Sequence, residues 1–131
     1  MERISRKWKK YQLDGFAKAD DMRISPFYDD GKTYGTPTWI WSVVVDQQLF
    51  VRAWNGKRSR WYRSAIKQRA GRMHLAGQNY EINFQDVNDM QLIDKVDMAY
   101  RKKYAGSSYL SPMIQEGPRS TTLKIIPRQI D

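Results

Sequence analysis

At 131 residues, 40% of them hydrophobic and 13% aromatic, the chain can build one domain around a single core and is too short for two ordinary domains. The absence of Cys excludes disulfides, thiolate zinc sites and cysteine nucleophiles. A single His, His74, argues against a His-based metal cluster or a Ser-His-Asp triad and leaves a carboxylate-only metal site open.

A formal net charge of +9 implies an anionic partner (nucleic acid, a phosphorylated cofactor or an anionic surface) unless it serves solubility alone. The charge is concentrated. No Asp or Glu occurs from Gln47 to Tyr80, where Arg52, Lys57, Arg58, Arg60, Arg63, Lys67, Arg69 and Arg72 all fall.

In chain order, residues 1–20 read as a basic arm or short helix, with Trp8, Tyr11 and Leu13 set among charges in RKWKKYQLDGFAKADD. No apolar stretch follows the basic N-terminus and no window approaches bilayer-spanning length. Neither a signal peptide nor a membrane span is therefore expected, and the cytoplasm is the default location. Residues 21–131 are expected to form the domain proper. MRISPFYDDGKTYG reads as a strand around Met22 to Tyr28 that ends in the turn Asp29-Asp30-Gly31.

TPTWIWSVVV and QLFVRAW are apolar runs rich in β-branched and aromatic residues, joined closely enough around Asp46-Gln47 to predict a tight hairpin. Alternation puts Trp39, Trp41, Val43 and Val45 on one side of the first strand and Thr38, Ile40, Ser42 and Val44 on the other. In the second, Leu49, Val51 and Ala53 share one face, while Phe50, Arg52 and Trp54 share the other. Arg52 thus stands between two aromatics, which makes it a candidate site residue.

Asn55-Gly56 then breaks the strand, and Ser59 is placed to N-cap a helix through about Gln68 whose apolar positions are Trp61, Ala65 and Ile66. Helix starts carry partial positive charge and favour Asp and Glu, so Lys57, Arg58, Arg60 and Arg63 around this start run against the macrodipole. Gly71 is expected to end the unit. RMHLA and NYEINF predict a second hairpin around Gly77-Gln78. NDMQLIDKVDMAYRKKYAG predicts an amphipathic helix with Leu92, Ile93, Val96, Ala99 and Tyr100 on one stripe and a cap at Asn88 or Asp89. SSYLSPMIQ suggests a short helical turn, and STTLKIIPR a closing strand stopped by Pro127. A mostly sequential antiparallel set of strands with short helices inserted must hide its edges, and closure does so, which predicts an α+β fold built on a small barrel.

With these elements in place, Asp30 to Ile82 resembles the flavin-binding split β-barrel superfamily, which includes pyridoxamine-phosphate-oxidase-like proteins and deazaflavin-dependent nitroreductases. The matching positions are Gly31 and Lys32, Thr36 to Val45, Leu49 to Trp54, Asn55-Gly56 and Trp61-Tyr62. MAYRKKYAGSSYLSPM and TLKIIPR extend the likeness to an uncharacterised bacterial branch over most of the chain. Lys57 stands where the superfamily's loop has a second Gly, and Arg63-Ser64 where its helix has Asn-Leu.

The resemblance implies an antiparallel split barrel over residues 21–131, a two-fold homodimer, and an FMN or deazaflavin cofactor for a redox reaction on a small molecule. Its site would use Lys32, Arg52, Lys57, Arg58, Ser59, Arg60 and Trp61, with guanidiniums and the N–H groups after Ser59 on the phosphate. Two other readings stay open. A basic nucleic-acid binder would put the same cations on phosphates and stack Phe50, Trp54 and Tyr62 on bases; a cofactor-free relative would keep the cations merely solvated. Trp39, Trp41, Trp54 and Trp61 read as core or interface before they read as a ring stack. His74 reads as ordinary surface, and Asp97 is spaced to pair with Arg101.

Overall fold

The computed structural model describes residues 7–128. Helix α1 (Lys10–Lys18) is followed by β1 (Arg23–Pro26), β2 (Thr38–Trp39), β3 (Ser42–Val45) and β4 (Gln48–Val51). A 3-10 turn at Gly56–Arg58 leads into α2 (Arg60–Gln68), then β5 (Ala70–Leu75), β6 (Gln78–Asp86) and α3 (Met90–Lys103). Two single-turn helices, α4 (Leu110–Met113) and α5 (Glu116–Arg119), precede β7 (Leu123–Pro127). The α+β class, the barrel-like sheet and a mostly sequential antiparallel strand set follow the expectation. The seven strands lie in the order β2-β1-β5-β6-β7-β4-β3, antiparallel throughout, and four of the six neighbouring pairs are consecutive in the chain; β1-β5 and β4-β7 are the exceptions.

This order makes β2 and β3 the two edges, although only Ile40 and Trp41 separate them in the chain. Three residue steps, from Trp39 to Ser42, reach at most about 11 Å. A flat sheet of this width would hold its edges several times farther apart at ~4.8 Å per strand, so the sheet must curl. The core agrees. Ile24 of β1 and Leu49 of β4, with three strands between them in the order, share one cluster with Phe16, Met73, Ile82 and Ile125. The expected single strand across Thr36 to Val45 is therefore two strands, because its halves pair with different neighbours, β1 and β4.

Local expectations at the turns are met with small shifts. Asp46 and Gln47 both have positive φ (51° and 64°), as a two-residue hairpin with matching twist requires. The second turn is Ala76–Gly77, one residue earlier than predicted, and the Asp21 carboxylate accepts hydrogen bonds from both of its N–H groups. Arg69 in the left-handed conformation (φ 61°), not Gly71, ends α2. Gly71 serves a different need. A Cβ there would lie 2.5 Å from the Ser25 carbonyl oxygen and 2.6 Å from Pro26 Cα, so only Gly lets β1 and β5 approach.

The N-terminal arm is described from Lys7 onward, and the part of that expectation on residues 1–6 lies outside the described residues. The rest is a helix docked on the sheet. Trp8 Nε1 donates to the Ile125 carbonyl at 2.8 Å, and Trp8, Phe16 and Tyr80 meet edge to face. On the other side of the sheet a second cluster, with Val43, Val45 and Phe50 under Val96, Tyr100 and Tyr104, seats α3. Asp89 caps that helix as expected by accepting from Gln91 N and Leu92 N. Among the described residues no helix is long and apolar enough to cross a membrane.

Candidate functional site

Alternation in β4 holds through Trp54: Leu49, Val51 and Ala53 enter the larger cluster, and Phe50 and Arg52 point the other way, under α3. Arg52 is fully buried. Its Nε donates to Thr122 Oγ1 at 2.9 Å, Nη1 to Asp97 Oδ1 at 2.5 Å and to the Met113 carbonyl at 3.0 Å, and Nη2 to the Ile93 carbonyl at 3.0 Å. A guanidinium committed to four protein acceptors has little left to offer an external phosphate, so the expected phosphate contact of Arg52 gives way to a role inside the fold. It ties β4 to α3, α4 and the start of β7. Asp97 pairs accordingly with Arg52 and, at 3.3 Å, with Arg119, not with Arg101. The flanking apolar residues signalled burial of Arg52; nothing nearby signalled its partner 45 residues on.

The remaining cations of the acid-free segment divide into two groups. Carboxylates brought in from elsewhere pair with three: Asp29 with Lys67 (3.1 Å), Asp86 with Arg69 (3.0 Å) and Glu81, shared with Arg128, with Arg72 (3.5 Å). Lys57, Arg58, Arg60 and Arg63 are exposed and form no ion pair among the described residues. All four surround the start of α2. Ser59 is its N-cap residue but makes no side-chain cap bond, and the first intrahelical bond runs from Arg63 N to the Ser59 carbonyl. The N–H groups of Arg60, Trp61 and Tyr62 thus have no intrahelical acceptor.

Arg60 and Trp61 border a cleft of about 250 Å³ with the hydroxyl-bearing residues Tyr28, Thr36, Thr38 and Ser64. Hydrogen bonds with Thr36, aided by the Arg60 charge, hold the Tyr28 hydroxyl below the usual tyrosine range. Trp61 itself is nearly buried, at 8% exposure, in the core. Lys32 is placed apart from this group. Its turn lies against the C-terminal end of α2, where a Cβ on Gly31 would sit 3.4 Å from Gln68 Oε1 and Asp29 holds Lys67. A nine-residue helix is about 13 Å long, which separates Lys32 from Arg60.

The break between β2 and β3 opens a second cleft, of about 220 Å³, lined by Trp39, Ile40, Trp41, Trp54, Tyr109 and Met113 with Arg52 beneath them. Trp39, Trp54 and Tyr109 are 68%, 43% and 62% exposed, unusual for rings grouped in one place. Trp54 meets Tyr109 edge to face at 5.5 Å, and Trp41 stacks on Tyr104 with centroids 3.9 Å apart. Trp39, Trp41 and Trp54 are three of the four tryptophans that the sequence reads first as core or interface; Tyr109 and Met113 carry no sequence signal because they arrive on α4 and the turn before it. Trp54 precedes Lys57 by three residues, at most about 11 Å of chain, so the aromatic cleft and the unpaired cations are neighbours.

Behind the cleft, Lys103 donates to the carbonyls of Ser42 (2.8 Å) and Phe16 (3.3 Å). Burial pushes its amine down to about 8, and burial likewise raises the Tyr100 and Tyr104 hydroxyls.

A curled antiparallel sheet sealed by short helices, with a cleft at the seam between its edges, defines a barrel-like α+β protein compatible with a split barrel. The chain belongs to the family described as "Uncharacterized protein conserved in bacteria (DUF2255)", which it matches over residues 12–125. No curated protein matches it.

Proposed function

We propose that the domain is a relative of the flavin-binding split barrels and binds a planar aromatic ring that carries a phosphate, with FMN or a deazaflavin as first candidates, for a redox reaction on a small molecule in the cytoplasm. One observation carries this reading: an exposed aromatic cleft lies within three residues of chain from a cluster of cations that no described carboxylate neutralises. When bound, such a ring supplies the electron or hydride transfer itself. The chain's own part is to hold the ring against Trp39, Trp54 and Tyr109 and the phosphate against Lys57, Arg58 and Arg60, with the N–H groups of Arg60 and Trp61 as further donors. Arg52 positions the floor of the cleft.

At about 220 Å³ the cleft is smaller than the ~300–1,000 Å³ of pockets that enclose a whole ligand. It covers part of one ring system, and a second copy of the chain in a homodimer would cover the rest. The test is to record absorbance of the purified protein from the near ultraviolet into the visible. FMN and a deazaflavin are then titrated separately into the colourless form, with tryptophan fluorescence and sedimentation as readouts. The expected result is saturable quenching that Trp54→Ala abolishes and that Lys57→Gln/Arg60→Gln weakens. A protein that neither carries nor takes up either ring overturns the reading. The same exposed rings and unpaired cations favour single-stranded nucleic acid as a second reading, recognised by steeply salt-dependent binding of an oligonucleotide.

A further inference from the structure

The largest of the clefts described, about 380 Å³, lies on a different part of the sheet, where Arg23, Ser25, Tyr34, Arg72, His74 and Asn79 line it. Registry explains why they converge. Arg23 is opposite His74 and Ser25 is opposite Arg72 across β1 and β5, while His74 is opposite Asn79 across β5 and β6. Directly opposed residues of antiparallel strands project to one face, so all of these point away from the core residues Ile24, Met73 and Ile82.

The loop after β1 walls this cleft and is locked in place. Tyr34 donates to Glu81 Oε2 at 2.6 Å, and its ring lies between Phe27 (5.0 Å) and the Arg72 guanidinium (3.8 Å). Glu81 is engaged on both oxygens, by Tyr34 and Arg72 Nε on one and by Arg128 on the other. Asp21, the other carboxylate near the cleft, caps the Ala76–Gly77 turn and lies 3.5 Å from His74 Nε2.

Three donors are left over. The Arg23 side chain is exposed and has no ion pair or hydrogen bond among the described residues, and Arg72 engages Glu81 through Nε alone, leaving its Nη groups unpaired. Ser25 is only 6% exposed, and its hydroxyl makes no hydrogen bond among the described residues. The Ser25 hydroxyl opens into the cleft two residues from Arg23 on β1 and opposite Arg72 on β5, so the three sets of open donors share one face and can converge on one acceptor.

We propose that this cleft binds a small oxyanion, the carboxylate or phosphate of a small molecule, in the fork of Arg23 and Arg72 with the Ser25 hydroxyl donating to it. Arg23 is also the register partner of Trp39, so this site adjoins the aromatic cleft. Oxyanion binding here nevertheless stands without any ring bound there, and the probes below carry no ring.

The experiment is an NMR titration of the full chain with inorganic phosphate and, separately, with acetate, following the arginine Nε–H signals and the amides of β1 and β5. Saturable shifts at Arg23 and Arg72 are expected, and the anion that saturates at lower concentration identifies the oxyanion class. Arg23→Gln and Ser25→Ala remove groups with no bond inside the fold, so both variants should fold; each should weaken binding, Arg23→Gln by about tenfold. Arg60→Gln at the start of α2 should leave it unchanged. Shifts confined to the residues around α2, shifts that never saturate, or unaltered binding by Arg23→Gln would overturn the proposal.

Discussion

Replacing Arg52 by Met exchanges a buried guanidinium for an apolar chain of similar length, so packing is largely kept and the polar network is lost. The Thr122 hydroxyl retains its bond to the Arg119 carbonyl, and Asp97 retains Arg119 at 3.3 Å. The uncompensated losses fall on the carbonyls of Ile93 and Met113 and on the charge balance at Asp97. Breaking one side of a buried pair costs about 3–5 kcal/mol; the residual Arg119 contact argues for the lower end, about 3 kcal/mol, out of the ~5–15 kcal/mol typical of a domain.

Urea unfolding followed by tryptophan fluorescence reads this directly. With an m-value of roughly 1.5–2 kcal/mol/M, the midpoint should fall by about 1.5–2 M. Arg52→Lys should recover only part of the loss, since one ammonium cannot reach acceptors on α3, α4 and the start of β7 together. In a double-mutant cycle with Asp97→Asn, the two losses should be non-additive by about 1 kcal/mol or more. A midpoint for Arg52→Met within about 0.3 M of the parent, the range of an ordinary surface substitution, would refute the assignment of Arg52 to the interior network.

Gly71→Ala should destabilise by about 1–3 kcal/mol in the same assay, because its Cβ meets the Ser25 and Pro26 backbone at 2.5–2.6 Å. Arg60→Glu should stabilise the fold by about 0.3–1 kcal/mol, since it removes an unpaired cation from a helix start, while weakening FMN uptake; stability and function would then separate at one residue. Lys103 has a folded-state value near 8 against an ordinary 10.5, so between those values the unfolded chain holds more protons and stability rises with pH from about 8 to 10. Tyr100 and Tyr104 are raised by burial, so above pH 10 the folded state holds more protons and stability falls. Urea midpoints at pH 7, 9.5 and 11 should trace this rise and fall, and Lys103→Met should remove the rise alone.

Much of the local architecture was legible because its causes lie within a few residues. Two-residue turns at Asp46-Gln47 and near Gly77, the inside and outside of β4, the stripe and Asp89 cap of α3, and the stop at Pro127 follow from alternation, helical spacing and backbone chemistry. The acid-free run from Gln47 to Tyr80 was equally plain. What no local pattern contained was the pairing of β1 with β5 and of β4 with β7, and hence the break at Ile40-Trp41 that separates one apolar run into the two edges of the sheet. The same long-range register chose the partners of the charges. It brought Asp97, Asp29, Asp86 and Glu81 to Arg52, Lys67, Arg69 and Arg72, left Lys57, Arg58, Arg60 and Arg63 without an ion pair among the described residues, and set Arg23 beside Ser25 and Arg72. Sequence fixes which side chains alternate together on a strand; closure of the sheet decides which distant charges they meet, because a Coulomb partner is chosen by distance in space and not along the chain.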